Sequence, residues 1–213
     1  MSRTGGVTDD APRWHGSTAD ERQTQRRRQL LDAGFQLLGT EGAAAVSVRA
    51  VTRVSGLSPR YFYESFSDRD ELLIAVWEEQ YDEVRAVVDA AITVAPDDFL
   101  ARMRAALLVT LGWLREVPER GRAMLAETLA EELLRRHARR RLPELVLDTA
   151  VQSGGTLWAG DTPAKVEVAV VALSGAIVNL FLEWSGGALD VTDEELVDSI
   201  VELAAAALAT ALR

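Results

Sequence analysis

The sequence predicts an all-α protein of about nine helices, and three observations carry the prediction. Apolar residues recur at spacings of three and four through most of the chain, the signature of helices with one buried face. Several of these runs open on Ser or Thr with an acidic residue three positions on, and close on Gly or Pro. No segment alternates apolar and polar residues as a half-buried strand would.

Taken in order, residues 1–19 are rich in Gly, Ser, Thr, Asp and Pro without apolar periodicity, and a disordered arm is expected there. Thr18 and Glu21 form a capping box for a first helix that places Leu30, Leu31, Gly34, Phe35 and Leu38 on one side and ends at Gly42. Ser47 caps a short second helix through Val54, and Gly56 breaks it. Ser58 followed by Pro59 opens a third helix, ending near Phe66. Ser67 with Asp70 is expected to cap a long helix carrying Leu72, Leu73, Val76, Trp77, Tyr81, Val84 and Val88, stopped by Pro96. A further helix spans about 97–117, with Leu100, Met103, Leu107, Leu111 and Leu114 on one face. After Pro118 and Gly121, a helix or helix pair runs over about 119–153, with Pro143 as its kink or restart, and 154–161 is expected to be loop. Thr162 and Pro163 start a helix that is apolar over 168–182 except for Ser174 and Asn179, ended by Gly186 and Gly187. Thr192 and Glu195 box a last helix with Leu196, Ile200, Leu203, Ala207, Leu208 and Ala211 along one side.

Composition narrows the function. The chain of 213 residues has Lys+Arg 23 against Asp+Glu 33, a formal charge of −10, and 48% hydrophobic residues, ordinary for a folded protein. Zero cysteines exclude disulfide scaffolds, thiolate zinc sites and iron–sulfur clusters. His15 and His137 are the only imidazoles. No phosphate-binding glycine loop, metal-spaced histidine pair or Ser–His–Asp set is present, so neither an enzyme nor a cofactor is expected. Residues 1–20 lack the apolar core of a secretory signal, which predicts a cytoplasmic protein. The run 168–182 is shorter than the roughly 20 residues a bilayer requires and is flanked by Glu167 and Glu183, so no membrane span is expected.

Charge is divided unevenly. Residues 1–66 hold nine arginines against seven acidic residues, whereas 67–213 hold 14 basic against 26 acidic. A small basic unit on an acidic body suits a local polyanion contact. Within that unit, residues 47–66 have the spacing of a helix-turn-helix. Gly56 supplies the positive φ of the turn, and Val48, Val51, Leu57, Phe62 and Phe66 supply the inner faces. The third helix then presents Ser58, Pro59, Arg60, Tyr61 and Tyr63 near its amino end, the part that enters a major groove. Arginine donates a bidentate pair to guanine, while tyrosine offers a ring to thymine methyl groups and a hydroxyl to phosphate.

The segments RQLLDAGFQLLGTEG (28–42), SVR (47–49) and SGLSPRYFYESFSDRDEL (55–72) resemble the amino-terminal domain of TetR-family (tetracycline-repressor-like) transcriptional regulators. The resemblance covers about a quarter of the chain. It implies three helices for DNA (20–66), with 67–213 forming a ligand cavity and a dimer interface of the last two long helices. By position, Ser47 corresponds to a helix cap lying on a phosphate, Tyr63 to a backbone-contacting tyrosine, and Arg60 and Tyr61 to base contacts. Arg69 stands where the family has a phosphate-touching lysine. With Arg49, Ser58 and Pro59, these are the candidate DNA contacts. Thr52 and Ser55 depart from the usual small alanines of the second helix.

The resemblance implies a homodimeric repressor on a palindromic double-stranded operator, released by a largely apolar or aromatic effector. Candidate effector contacts are Met103, Leu107, Trp113, Met124, Glu127, Trp158 and Phe181, with Glu127 available to a cation or hydroxyl. A nearly all-apolar helix has two sides to bury, one on its own core and one on a partner. Val171, Ser174, Gly175, Val178, Leu182, Ile200, Leu203, Ala204 and Ala207 are the candidate dimer contacts; the alternative is that both helices are internal core. Activation, ligand-independent regulation, and a helical carrier with a vestigial helix-turn-helix stay open as alternatives. The basic run 135–141 is read as a solvated helix face paired with Glu131 and Glu132 rather than a second polyanion site.

Overall fold

A computed structural model describes residues 19–152 and 163–211, and the side chains of 19–149 and 163–206. The expected arm, the caps at Thr18 and Thr162, the loop 154–161, Trp158 and the side chain of Ala207 lie outside the described residues. The described chain is all helical: α1 (Ala19–Thr40), a 3-10 turn (Ala43–Ala45), α2 (Val48–Ser55), α3 (Pro59–Ser65), α4 (Arg69–Val94), α5 (Phe99–Glu116), α6 (Glu119–Gly121), a π turn (Arg122–Ala126), α7 (Glu127–Ala130), α8 (Glu132–Gln152), α9 (Pro163–Ser185) and α10 (Asp193–Ala211).

Local chemistry sets the ends of the first helices. Gly42, at φ 90°, turns the chain out of α1, and Gly56, at φ 71°, closes α2 in the left-handed region. Ser47 Oγ accepts from Ala50 N–H at 3.2 Å. The cap of α4 lies one residue later than expected. Asp68 Oδ1 accepts from Glu71 N–H at 2.8 Å, and Glu71 Oε2 accepts from Ser67 N–H at 2.6 Å. The Ser67 N–H holds the exposed Glu71 carboxyl below its ordinary pKa.

Leu30, Leu37 and Leu38 of α1 share a buried core with Val51, Phe62, Phe66, Leu72 and Leu73. At 26 residues, about 39 Å of helix, α4 belongs to two cores. Its first turns close the three-helix unit, and Val84, Val88 and Ile92 pack among α5 and α8. Gly39 allows α6 to cross α1 closely: a Cβ there would lie 2.5 Å from Glu119 Cβ and 2.9 Å from Glu119 O.

Pro143 does not interrupt its helix. The break falls at Glu131, which is extended (φ −88°, ψ 119°), and α8 runs unbroken through the proline. Anchors on both sides of Pro143 outweigh its missing N–H and the clash it brings to the preceding turn. Arg141 pairs with Glu78, Tyr81 donates to Arg141 O at 3.0 Å, and Arg85 pairs with Asp148.

Candidate functional site

Seven arginines lie between residues 22 and 66, and the fold divides them by role. Three hold the domain together. Arg27 donates to Ser65 O at 2.6 Å and lies 4.2 Å above the Phe66 ring; Arg28 bridges Asp32 and Glu79; Arg26 stacks on Tyr61 at 4.5 Å and reaches Glu64 at 3.9 Å. Arg22, Arg49 and Arg53 are exposed and make no ion pair among the described residues. Arg60 pairs only within its own helix, with Glu64 at 2.9 Å, and its side chain is 84% exposed. An exposed i,i+4 pair contributes little and gives way readily to a phosphate or base. Burial raises the Glu79 pKa against the pull of Arg28.

Of the expected DNA contacts, Ser47, Arg49, Ser58, Pro59, Arg60 and Tyr63 are all exposed. Ser58 caps α3 by position but its hydroxyl makes no capping bond, so it stays available. Tyr63 is 60% exposed, its ring edge-on to buried Phe62 at 5.4 Å, which fixes the ring while leaving the hydroxyl in solvent. Tyr61 is half-buried, with the Arg26 guanidinium over its ring. The Arg69 guanidinium donates to Val46 O and Ala43 O, both at 2.8 Å, and pairs with Asp70 at 3.0 Å and Glu131 at 3.5 Å. Arginine's planar fork satisfies several acceptors at once, so Arg69 ties the turn before α2 to the start of α8. Arg53 was not among the expected contacts. Its i,i+4 spacing from Arg49 was the available signal, since it puts both on one side of α2. The hydroxyls of Thr52 and Ser55 are absorbed within α2, Thr52 Oγ1 donating to Val48 O at 2.8 Å and Ser55 Oγ to Thr52 O at 3.4 Å.

The carboxy-terminal helices line a partly open cavity of about 130 Å³ between α4, α5, the π turn, α8 and α9. Met103, Leu107, Trp113, Met124 and Phe181 line it, as expected from their helical register. Glu127 does not. Its Oε2 accepts from Ala43 N–H at 2.9 Å and its Oε1 from Arg122 at 3.3 Å, while Arg122 donates to Thr40 O at 2.8 Å. This clasp holds the α1–α2 turn on the π turn, whose Met124 and Leu125 form part of the cavity wall. Across α4, Glu78 receives bonds from Arg141 and His137 of α8. Burial raises the Glu78 pKa, and those bonds outweigh it, leaving the carboxyl below its ordinary value.

The faces of α9 and α10 split the expected dimer contacts. Val171, Gly175 and Leu203 are exposed and Leu182 is half-buried, whereas Ser174, Val178, Ile200 and Ala204 are buried in the chain's own core. Ser174 and Val178 line the cavity. An apolar helix gives no polar face by which its inner side can be told from its outer, so register alone could not separate them. The outer face of α9 is a stripe of Val168, Val171, Ala172, Gly175, Ala176 and Asn179. At 23 residues α9 is long and apolar enough to cross a membrane, longer than its 15-residue apolar run suggested, yet Val170, Ser174, Val178 and Phe181 are buried against this chain.

Residues 30–76 match the family described as bacterial regulatory proteins, tetR family. The HTH-type transcriptional regulator BetI of Rhizobium meliloti (strain 1021) is 31% identical over 81 residues, 38% of this chain and 34% of that protein. The same-named regulator of Brucella canis is 31% identical over 72 residues, 34% of this chain and 36% of its own. The chain thus spans about a third of the length of the curated relatives it matches. Among solved structures, a tetR-family regulator from Streptomyces coelicolor superposes with a TM-score of 0.66 at 18% identity, covering 88% of this chain and 82% of its own. The fatty acid degradation regulator FadR from Bacillus halodurans superposes at 0.62 and 15% identity, covering 84% and 94%. These neighbours establish the shared all-helical fold along most of the chain, and the sequence matches establish its amino-terminal domain. The matched regulators form a non-enzymatic class. Residues 30–76 thus form a helix-turn-helix domain similar to that of the tetR family of bacterial regulatory proteins, on a chain that shares the all-helical fold of its solved neighbours.

Proposed function

We propose that the protein is a homodimeric transcriptional repressor in the cytoplasm, released from a palindromic double-stranded operator by a small, largely apolar effector. The observation that carries this is the exposed amino end of α3, with Ser58, Pro59, Arg60 and Tyr63, beside the exposed Arg49 and Arg53 of α2. Arg60 is the candidate base reader. Tyr63, Ser47, Arg49 and Arg53 serve phosphates and set register. A second copy covers the small-residue stripe of α9 together with Leu203 of α10, which pairs two recognition helices for half-sites about one helical turn apart.

Effector control follows from the position of the cavity. Val84 and Val88 of α4 line it, and the same helix seats α1–α3 through Leu72 and Leu73. The π turn lines it too and is clasped to the α1–α2 turn. A ligand that favours a different packing of these two elements shifts the population toward a spacing that mismatches the half-sites. The family resemblance supports repression as the sign of regulation. The test is selection of duplexes from a random-sequence library by purified protein, followed by sedimentation of the complex. A palindromic consensus bound by two protomers is expected; no enriched sequence, or a complex with one protomer on a single half-site, refutes the proposal.

A further inference from the structure

We infer that the cavity takes uncharged, single-ring or short-chain molecules bearing one hydrogen-bond acceptor, and that Trp113 Nε1 recognises that acceptor. The inference deepens the effector reading and rests on it.

Among the described residues no ionisable side chain lines the cavity; its described walls are Leu, Val, Ile, Met, Phe, Ala and Trp, with three hydroxyls. With Glu127 engaged by Ala43 and Arg122, a cationic ligand has no counter-charge among the described lining residues; the Arg120 guanidinium, 4.4 Å over the Trp113 ring, is already paired with Glu83 and Glu116, so an anion finds no free cation either. Burying an unpaired ion is costlier than any hydrophobic gain a small ligand can return. The polar atoms define the remaining chemistry. Thr110 Oγ1 donates to Ala106 O at 2.8 Å, Thr149 Oγ1 to Leu145 O at 2.9 Å, and Ser174 Oγ to Val170 O at 2.6 Å. Each hydroxyl hydrogen is therefore engaged by its own helix. Trp113 is different: its ring is 7% exposed, and its Nε1–H is buried with no hydrogen-bond partner among the described residues. Indole is a donor only, so this group is satisfied by an acceptor brought in by a ligand. Size sets the last limit, because about 130 Å³ is close to the roughly 150 Å³ apolar cavity that admits benzene in an engineered protein.

The test uses four probes of similar size: acetophenone (neutral, with an acceptor), cumene (neutral, without one), benzoate (anion) and 1-phenylethylammonium (cation). Binding of each to the full chain is measured by calorimetry, for wild type and for Trp113→Phe. Wild type is expected to bind acetophenone about five- to tenfold tighter than cumene, the range of one net hydrogen bond, and to bind neither ion. Trp113→Phe is expected to keep cumene binding and lose the preference for the ketone. Leu107→Trp, which fills the cavity, is expected to abolish binding of both neutral probes. Tight benzoate binding, a ketone preference that survives Trp113→Phe, or no binding by any probe overturns the inference. Should Trp113→Phe fail to fold, the wild-type ranking and Leu107→Trp decide the question. Binding of acetophenone without release of DNA leaves the cavity chemistry standing and refutes its role as the effector site.

Discussion

Gly39→Ala tests the seam between the DNA-binding unit and the cavity floor. The added methyl would sit 2.5 Å from Glu119 Cβ and 2.9 Å from Glu119 O, inside any normal contact. Retreat of α6 is resisted on both sides. Arg120 donates to Trp113 O at 2.9 Å and pairs with Glu83 at 2.9 Å, and Arg122 bonds Thr40 O at 2.8 Å. Overpacking of this severity costs about 3 kcal/mol, and the helical gain of alanine over glycine returns about 1 kcal/mol. A net loss of about 2 kcal/mol lowers the Tm by about 4–8 °C in a chain of this size. Gly112→Ala in α5 is the matched control, since nothing lies within 4 Å of its added methyl. It is expected to stabilise by up to about 1 kcal/mol. Thermal unfolding followed by circular dichroism, at one fixed protomer concentration, compares the two. Equal effects, or a Gly39→Ala variant as stable as wild type, would refute the close crossing of α1 and α6.

Four further outcomes follow from the geometry. Glu127→Ala removes a charge-assisted bond to Ala43 N–H and is expected to cost about 1.5–3 kcal/mol in urea denaturation. Glu78 has its pKa lowered in the folded chain, so its contribution is present above the ordinary value of 4.5 and lost as pH falls below it. Denaturation at pH 7 and pH 4 should therefore show a smaller drop for Glu78→Gln than for wild type. Val171→Arg places a charge on the outer stripe of α9 and is expected to give a monomer by sedimentation with helix content unchanged. Arg49→Ala and Arg53→Ala should each weaken binding to all duplexes and reduce the slope of log affinity against log salt by about 1.

The helix-turn-helix was legible because its determinants are local: Ser47, Gly56, Ser58 and Pro59 act within four residues of where they stand. What depended on distant partners was not. Pro143 looked like a break because its anchors, Glu78 and Tyr81, lie some sixty positions away in α4. Glu127 looked free to meet a ligand because Ala43, its partner, is 84 residues distant. The bonds of Arg69 were hidden for the same reason: the carbonyls of Ala43 and Val46 that it meets come from another turn. Cavity residues fared better, since Met103, Leu107 and Trp113 follow the inner register of α5 and needed only a space to face.

The central claim is that the exposed end of α3 reads DNA sequence, and it is tested most directly with a fluorescent duplex carrying the selected operator and its scrambled counterpart. Anisotropy titrations at fixed salt compare wild type with the Arg60→Ala/Tyr63→Ala double variant. Wild type is expected to prefer the operator by at least about a thousandfold, and the double variant to bind both duplexes alike, with its residual salt dependence intact. A double variant that still discriminates the operator as wild type does would contradict the account.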